Sequence, residues 1–172
     1  MKVRPAIVVM GVAGCGKSTA GARLAAELGL AFIEGDRLHP AANIEKMSAG
    51  IPLTDEDRQP WLEAIGETIG RSVADCTGVV AACSALKRTY RDTLRATSGA
   101  DLLFVHLAGS RELISARMSH RTGHFFPETL LDSQFATLGP PQADERHVVA
   151  DLRMPLEEMI ARAIRDIEEF DA

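Results

Sequence analysis

Residues 11–18 read Gly11-Val-Ala-Gly-Cys-Gly-Lys-Ser18, and this octamer decides how the rest of the chain is interpreted. It fits G-x-x-x-x-G-K-[ST], the P-loop whose backbone N–H groups cradle nucleotide phosphates. Gly11, Gly14 and Gly16 permit the tight turn that points several N–H groups into one concavity. Val12, Ala13 and Cys15 complete that backbone, and Thr19 follows it. Lys17 adds a point charge for the β- and γ-phosphates, and the Ser18 hydroxyl can coordinate Mg²⁺. The flanks agree with the motif. Residues 6–10 are an apolar run of strand length, and residues 18–28 read as a helix whose N-terminus adds partial positive charge at the phosphates.

Outward from this loop, strand and helix signals alternate to the end of the chain. Further strands are expected at 30–33, 79–83, 102–107 and 147–149. Helices are expected at 40–49, from Thr54 (a candidate N-cap ahead of acidic residues 55–57) to Gly78, at 87–96, from Ser110 to about 119, at about 128–137, and from Pro155 onward. The long helix from Thr54 shows Leu62, Ile65, Ile69, Val73 and Cys76 at helical spacing. Alternating βα units predict an α/β fold, a five-stranded parallel sheet with helices on both faces. Neither a repeat nor a linker divides it, so one P-loop domain over residues 1–172 is expected, with a lid candidate at about 117–137. In such sheets ligands lie beyond the carboxyl ends of the strands. That rule gathers the P-loop, Glu34-Gly35-Asp36, Cys83-Ser84-Ala85 and the segment after Leu107 along one edge.

The 172 residues suffice for a sizeable core. Net charge is −5, which gives no electrostatic case for a nucleic-acid partner. Cys15, Cys76 and Cys83 match neither zinc nor disulfide spacing and are expected to be reduced thiols in a cytoplasmic protein. The basic start before residues 6–10 mimics a signal peptide, but the run is shorter than the roughly 7–15 residues of an h-region. No stretch approaches the ~20 apolar residues of a membrane span.

A P-loop implies only a bound nucleoside triphosphate; the groups opposite the γ-phosphate define the chemistry. Glu34 and Asp36 follow the second strand, where a carboxylate can take a proton from an attacking hydroxyl or hold a metal's waters. Arg117 and Arg121, four residues apart in the lid candidate, can neutralise charge on a transferring phosphoryl group. These features favour a small-molecule kinase, and no Asn-Lys-x-Asp guanine-reading motif is present. Around the presumed pocket stand Asp36, His39, Arg58, Trp61, Lys87, Tyr90, Arg91, His124 and Gln134. Lys87, Arg91 and Arg95 share a helix face. Cations beside hydrogen-bonding groups suit an anionic, polyhydroxylated acceptor. A sugar acid and a nucleoside monophosphate both satisfy that description, and a shikimate-type kinase or a nucleotide-binding module without turnover is also compatible.

Several blocks together resemble the gluconokinases of the shikimate-kinase-like and adenylate-kinase-like P-loop group. They are the P-loop itself, then Glu34-Gly-Asp36-Arg-Leu-His39-Pro-Ala-Ala-Asn43 continuing through Lys46, Gly50, Pro52, Asp55, Asp57 and Arg58 to Trp61. Cys83-Ser-Ala-Leu-Lys87 with Tyr90, Arg91 and Arg95 follows, then His124-Phe-Phe-Pro127 and Ser133-Gln134-Phe135. The stretch 35–61 and Cys-Ser-Ala-Leu-Lys are narrow to this family. The resemblance implies transfer of the ATP γ-phosphate to the 6-hydroxyl of D-gluconate with Mg²⁺, giving 6-phosphogluconate for the pentose phosphate or Entner–Doudoroff routes. It implies Lys17, Asp36 and Arg121 as catalytic residues, with Asp36 the general base. Arg58, Lys87 and Arg91 would hold the acceptor, and Arg117 would lie near the adenine. A homodimer is implied by the family alone.

Four departures stand out. Cys15 occupies a position where Ser is common, and Phe126 one where Met is usual. No carboxylate ends the third strand, where Cys83-Ser84 stands, so metal support falls to Ser18 with Glu34 or Asp36 through water. Residues 142–147 match nothing distinctive.

Overall fold

A strand buried on both faces must be apolar throughout, and β1 (Ala6–Met10) is buried at every position. It is the middle strand of five. The computed structural model describes residues 5–120 and 128–172. Strand order is β2 (Ala31–Glu34), β3 (Val79–Ala82), β1, β4 (Leu102–Ala108), β5 (His147–Asp151). All four pairings are parallel, and Ala6 stands level with both Val79 and Leu102. From β1 the chain crosses to the edge strand β2, returns to β3 beside β1, and then passes to β4 on the other side, so the strand order reverses beside β1. That crevice is where open α/β sheets bind ligands.

Helices cover the sheet as the alternation predicts. Ala20 and Leu24 of α1 (Lys17–Leu28) and Met159, Ile160 and Ala163 of α7 (Leu156–Phe170) converge on Val9, Val105, Leu107 and Ala150. A second pair, α3 (Asp55–Ala74) and α4 (Arg88–Ser98), is the most closely packed in the molecule. Gly66 explains that closeness: a Cβ there would stand 1.7 Å from Thr97 Oγ1, so only glycine admits the contact. The short helix α2 (Ala41–Ser48) precedes α3, and α5 (Arg111–Ser119) packs on α6 (Glu128–Thr137).

Boundaries differ from the sequence expectation by a residue or two, with one substantive correction. Thr54 does cap α3, in a reciprocal box with Asp57, and Ser110 caps α5. Cys76, however, is not on the apolar face of α3. That helix ends at Ala74, and Cys76 is exposed with φ of 58°. Polar residues 75–77 outweighed the apolar periodicity there. Between β2 and α2 the chain forms a 3₁₀ turn, Gly35–Leu38, which the alternation did not predict.

Candidate active site

The P-loop connects β1 to α1 as the motif requires. Gly11, Gly14 and Gly16 have φ of 153°, 79° and 90°. Gly11 N–H donates to Ser84 O at 3.2 Å, fastening the loop to the segment after β3. Lys17 Nζ donates to Val12 O at 3.1 Å, which parks the ammonium over its own loop. Ser18 and Thr19 are exposed, while Val12 and Cys15 are buried. The loop floors a cleft of about 580 Å³.

Asp36, His39, Arg58, Trp61 and Ser84 line the same cleft. Asp36 is exposed there, and its position follows from a chain of contacts. Glu34 accepts weakly from Asp36 N–H (3.4 Å) through Oε1 and so caps the 3₁₀ turn. Trp61 Nε1 donates to Gly35 O at 2.8 Å. The Trp61 ring stacks on His39, centroids 4.1 Å apart and planes 12° apart. Asn43 Nδ2 donates both to Asp57 O (2.9 Å) and to His39 Nδ1 (3.2 Å). An amide N–H₂ only donates, so Nδ1 accepts and the His39 proton sits on Nε2. Burial lowers the His39 pKa, opposed by Asp36, which agrees with a neutral ring.

Sequence spacing placed Lys87, Tyr90 and Arg91 with Arg58 at the acceptor, and the structure separates them. Arg58 lines the cleft and donates to Tyr90 Oη at 2.9 Å. Tyr90 in turn donates to Asp55, which also holds Lys87 Nζ at 3.0 Å. Lys87 and Tyr90 therefore brace Arg58 from outside the cleft wall. The placement of Arg91 in the acceptor site is corrected. Its side chain is 1% exposed and forms a bidentate pair with Glu145, at 2.7 and 2.9 Å. Its third nitrogen, Nη1, donates to Ala85 O at 2.8 Å. Ala85 has φ of 44°, an unfavourable conformation for a residue with a Cβ, and this bond helps hold the turn that carries Ser84 into the cleft. Arg95 joins Glu145 at 2.7 Å. Burial pushes the Glu145 carboxyl up, but hydrogen bonds from Arg91, Arg95 and Gln142 N–H hold it at about 2.

The remaining expected residues divide three ways. Gln134 lines the cleft, with Oε1 accepting from Ala13 N–H at 3.0 Å. Arg117 is turned to the carbonyl of Leu152, just beyond β5. Arg121 and His124 lie outside the described residues, as does Phe126. Residues that sequence reasoning missed also shape the cleft: Met47, Ile51, Pro52, Leu53, Met118 and Ser133. Met118 packs where a Gly14 side chain would stand, a contact between distant segments that no local pattern announces. Asn43, the partner of His39, was also missed.

Cys83 occupies the strand end where a metal-binding carboxylate was sought. Burial pushes its thiol up to about 12, so it stays protonated. Among the described residues, no three His, Cys, Asp or Glu form a ready metal cage. A small hard cation that keeps most of its waters and shares phosphate oxygens suits Ser18 and Asp36, both on the cleft. The cleft thus joins a triphosphate cradle to a wall with one carboxylate, one guanidinium and a neutral imidazole.

A family profile for shikimate kinase matches residues 13–166. The chain is 44% identical to the thermoresistant gluconokinase of Escherichia coli K12 over 94% of its own length and 93% of that protein. It is 51% identical to a gluconokinase of Gluconobacter oxydans over 81% of its length and 78% of that protein. The crystal structure of a gluconokinase from Sinorhizobium meliloti 1021 superposes with a TM-score of 0.89 at 48% identity, covering 99% of this chain and 95% of the other.

Proposed function

This chain belongs to the gluconokinase family, and on that premise we propose that it transfers the γ-phosphate of ATP to the 6-hydroxyl of D-gluconate, giving 6-phosphogluconate and ADP. The observation that carries the reading is the single cleft lined by both the P-loop and Asp36, with Arg58 on the acceptor side. Phosphoryl transfer needs little covalent chemistry from the protein; it needs positioning and charge. The P-loop N–H groups and the α1 N-terminus hold the phosphates. Lys17 leaves Val12 O for the β- and γ-oxygens, a short swing of one side chain. Asp36 accepts the proton of the attacking hydroxyl. His39, with its proton on Nε2, donates to an acceptor hydroxyl, and Arg58 meets the acceptor carboxylate with Lys87 and Tyr90 bracing it through Asp55. Mg²⁺, held by Ser18 with Asp36 reaching it through water, would neutralise phosphate charge.

Residues 117–137 act as the lid that excludes water from the transfer, with Arg117 beside the adenine and Arg121 reaching the phosphates. Arg121→Ala then lowers kcat much more than ATP affinity; an equal loss in both would reduce Arg121 to a ground-state contact. We further propose a cytoplasmic homodimer. No described helix is long and apolar enough to cross a membrane.

An ADP-release assay over gluconate, shikimate and several nucleoside monophosphates tests the reaction. Turnover with gluconate is expected. Silence with gluconate and turnover with any other acceptor overturns the assignment.

A further inference from the structure

The Val12–Ala13 peptide unit is gripped at both ends. Its carbonyl accepts from Lys17 Nζ at 3.1 Å, and its N–H donates to Gln134 Oε1 at 3.0 Å. A backbone N–H can only donate, so the carboxamide must present its oxygen to the loop. Its N–H₂ group is thereby the other end, and among the described residues no protein acceptor takes those protons. Gln134 sits on α6, half-buried, and lines the cleft together with Ser133, Gly14 and Lys17.

Which part of a nucleotide it faces follows from Lys17. That lysine is the cation the motif assigns to the β- and γ-phosphates. Lys17 and Gln134 hold opposite ends of one loop peptide, and both line the cleft between the phosphate loop and Asp36, so the carboxamide stands beside the loop on the side from which an acceptor meets the terminal phosphate. Arg117, by contrast, lies toward Leu152 after β5. We propose that Gln134 is a neutral hydrogen-bond donor to the terminal phosphoryl group of the bound triphosphate, held in orientation by Ala13 N–H. A pre-oriented donor needs no reorganisation as charge shifts over the transferring oxygens, which is the condition for electrostatic assistance. It also ties α6 to the phosphate cradle. The proposal rests on triphosphate binding at the P-loop and is independent of the acceptor's identity.

Two variants of the full chain separate this role from a purely structural latch. In Gln134→Glu one carboxylate oxygen keeps the Ala13 bond while the other places negative charge where the donor stood. Gln134→Leu removes both interactions. Dissociation constants are measured by calorimetry for Mg²⁺·ADP and for Mg²⁺ with the non-hydrolysable imido analogue of ATP. Gln134→Glu is expected to weaken the triphosphate roughly tenfold or more relative to ADP, because like charges meet at close range. Gln134→Leu is expected to weaken the triphosphate a few-fold. A latch alone predicts the reverse order, with Gln134→Glu near wild type and Gln134→Leu weakening both nucleotides equally; that result overturns the proposal. An unchanged triphosphate-to-diphosphate ratio in Gln134→Glu with a raised acceptor KM overturns it too, by moving the carboxamide to the acceptor. Wild-type protein that binds neither nucleotide would overturn the nucleotide reading itself, a distinct outcome. Should Gln134→Leu fold poorly, Gln134→Glu alone carries the comparison.

Discussion

A carboxylate serves as a base only where its backbone is held, and the backbone around Asp36 is held by neighbours that stand outside the proposed proton transfer. Trp61 grips Gly35 O, His39 stacks on Trp61, and Asn43 fixes the His39 tautomer. On the proposed mechanism, Asp36→Asn keeps this scaffold, removes the proton acceptor and weakens only a water-mediated metal contact, so kcat is expected to fall about 10²–10⁴-fold with ATP affinity largely retained. A steady-state assay beside a binding titration checks the split; a parallel loss of affinity would point to direct metal or phosphate contact instead. The two arginines once grouped at the acceptor part in the same way. Arg58→Ala is expected to raise KM for gluconate while KM for ATP stays near normal. Arg91→Ala is expected to leave buried Glu145 with only Arg95 and the Gln142 N–H, and Ala85 O without its donor, costing about 3 kcal/mol of stability, the low end for a broken buried pair, read as a fall in denaturation midpoint. If Arg91→Ala instead raised gluconate KM without loss of stability, the corrected assignment would be wrong.

Elements set these residues through close backbone approach. The 3₁₀ turn lies directly on β3: a Cβ on Gly35 would stand 2.2 Å from Ala82 O, a backbone atom with no rotamer to yield. Gly35→Ala must shift the turn and Asp36 with it. A loss of about 1–3 kcal/mol is expected, with a fall in kcat larger than any change in ATP affinity. Wild-type kcat in a destabilised Gly35→Ala protein would show that the turn tolerates displacement. Parallel strands and capped helices were legible because their signals are local: apolar runs, Thr54 with Asp57, Ser110. The 3₁₀ turn was not, since four residues carry too little periodicity to register and its stability comes from Trp61, 26 residues away.

Across the whole molecule, two buried titratable groups, His106 and Glu145, contribute to acid stability. His106 on β4 is pushed down to about 4 by burial, then by Arg91 and His147. Its folded form binds fewer protons than the unfolded chain between its ordinary 6.5 and about 4, so its contribution is full above 6.5 and lost as pH falls through that window. Glu145, held at about 2 against an ordinary 4.5, adds stability above 4.5 that is lost as pH falls toward 2. The melting temperature is therefore expected to drop several degrees from pH 7 to pH 5, chiefly through His106, and to fall further below pH 4.5. His106→Gln should flatten the first part of that profile and leave the second. Equal slopes in wild type and His106→Gln between pH 7 and 5 would remove His106 from the account. The P-loop, the five parallel strands and the loops that meet at their carboxyl ends followed from the sequence alone, because each rests on contacts or patterns within a few residues. Which cations face the cleft did not. Lys87, Arg91 and Arg95 look equivalent at i,i+4 spacing, and the choice among them was made by Asp55 and by Glu145, 32 and 54 residues distant from Lys87 and Arg91. Such pairings exist only once the sheet has brought those segments together, and a buried guanidinium must take whatever carboxylate the fold delivers.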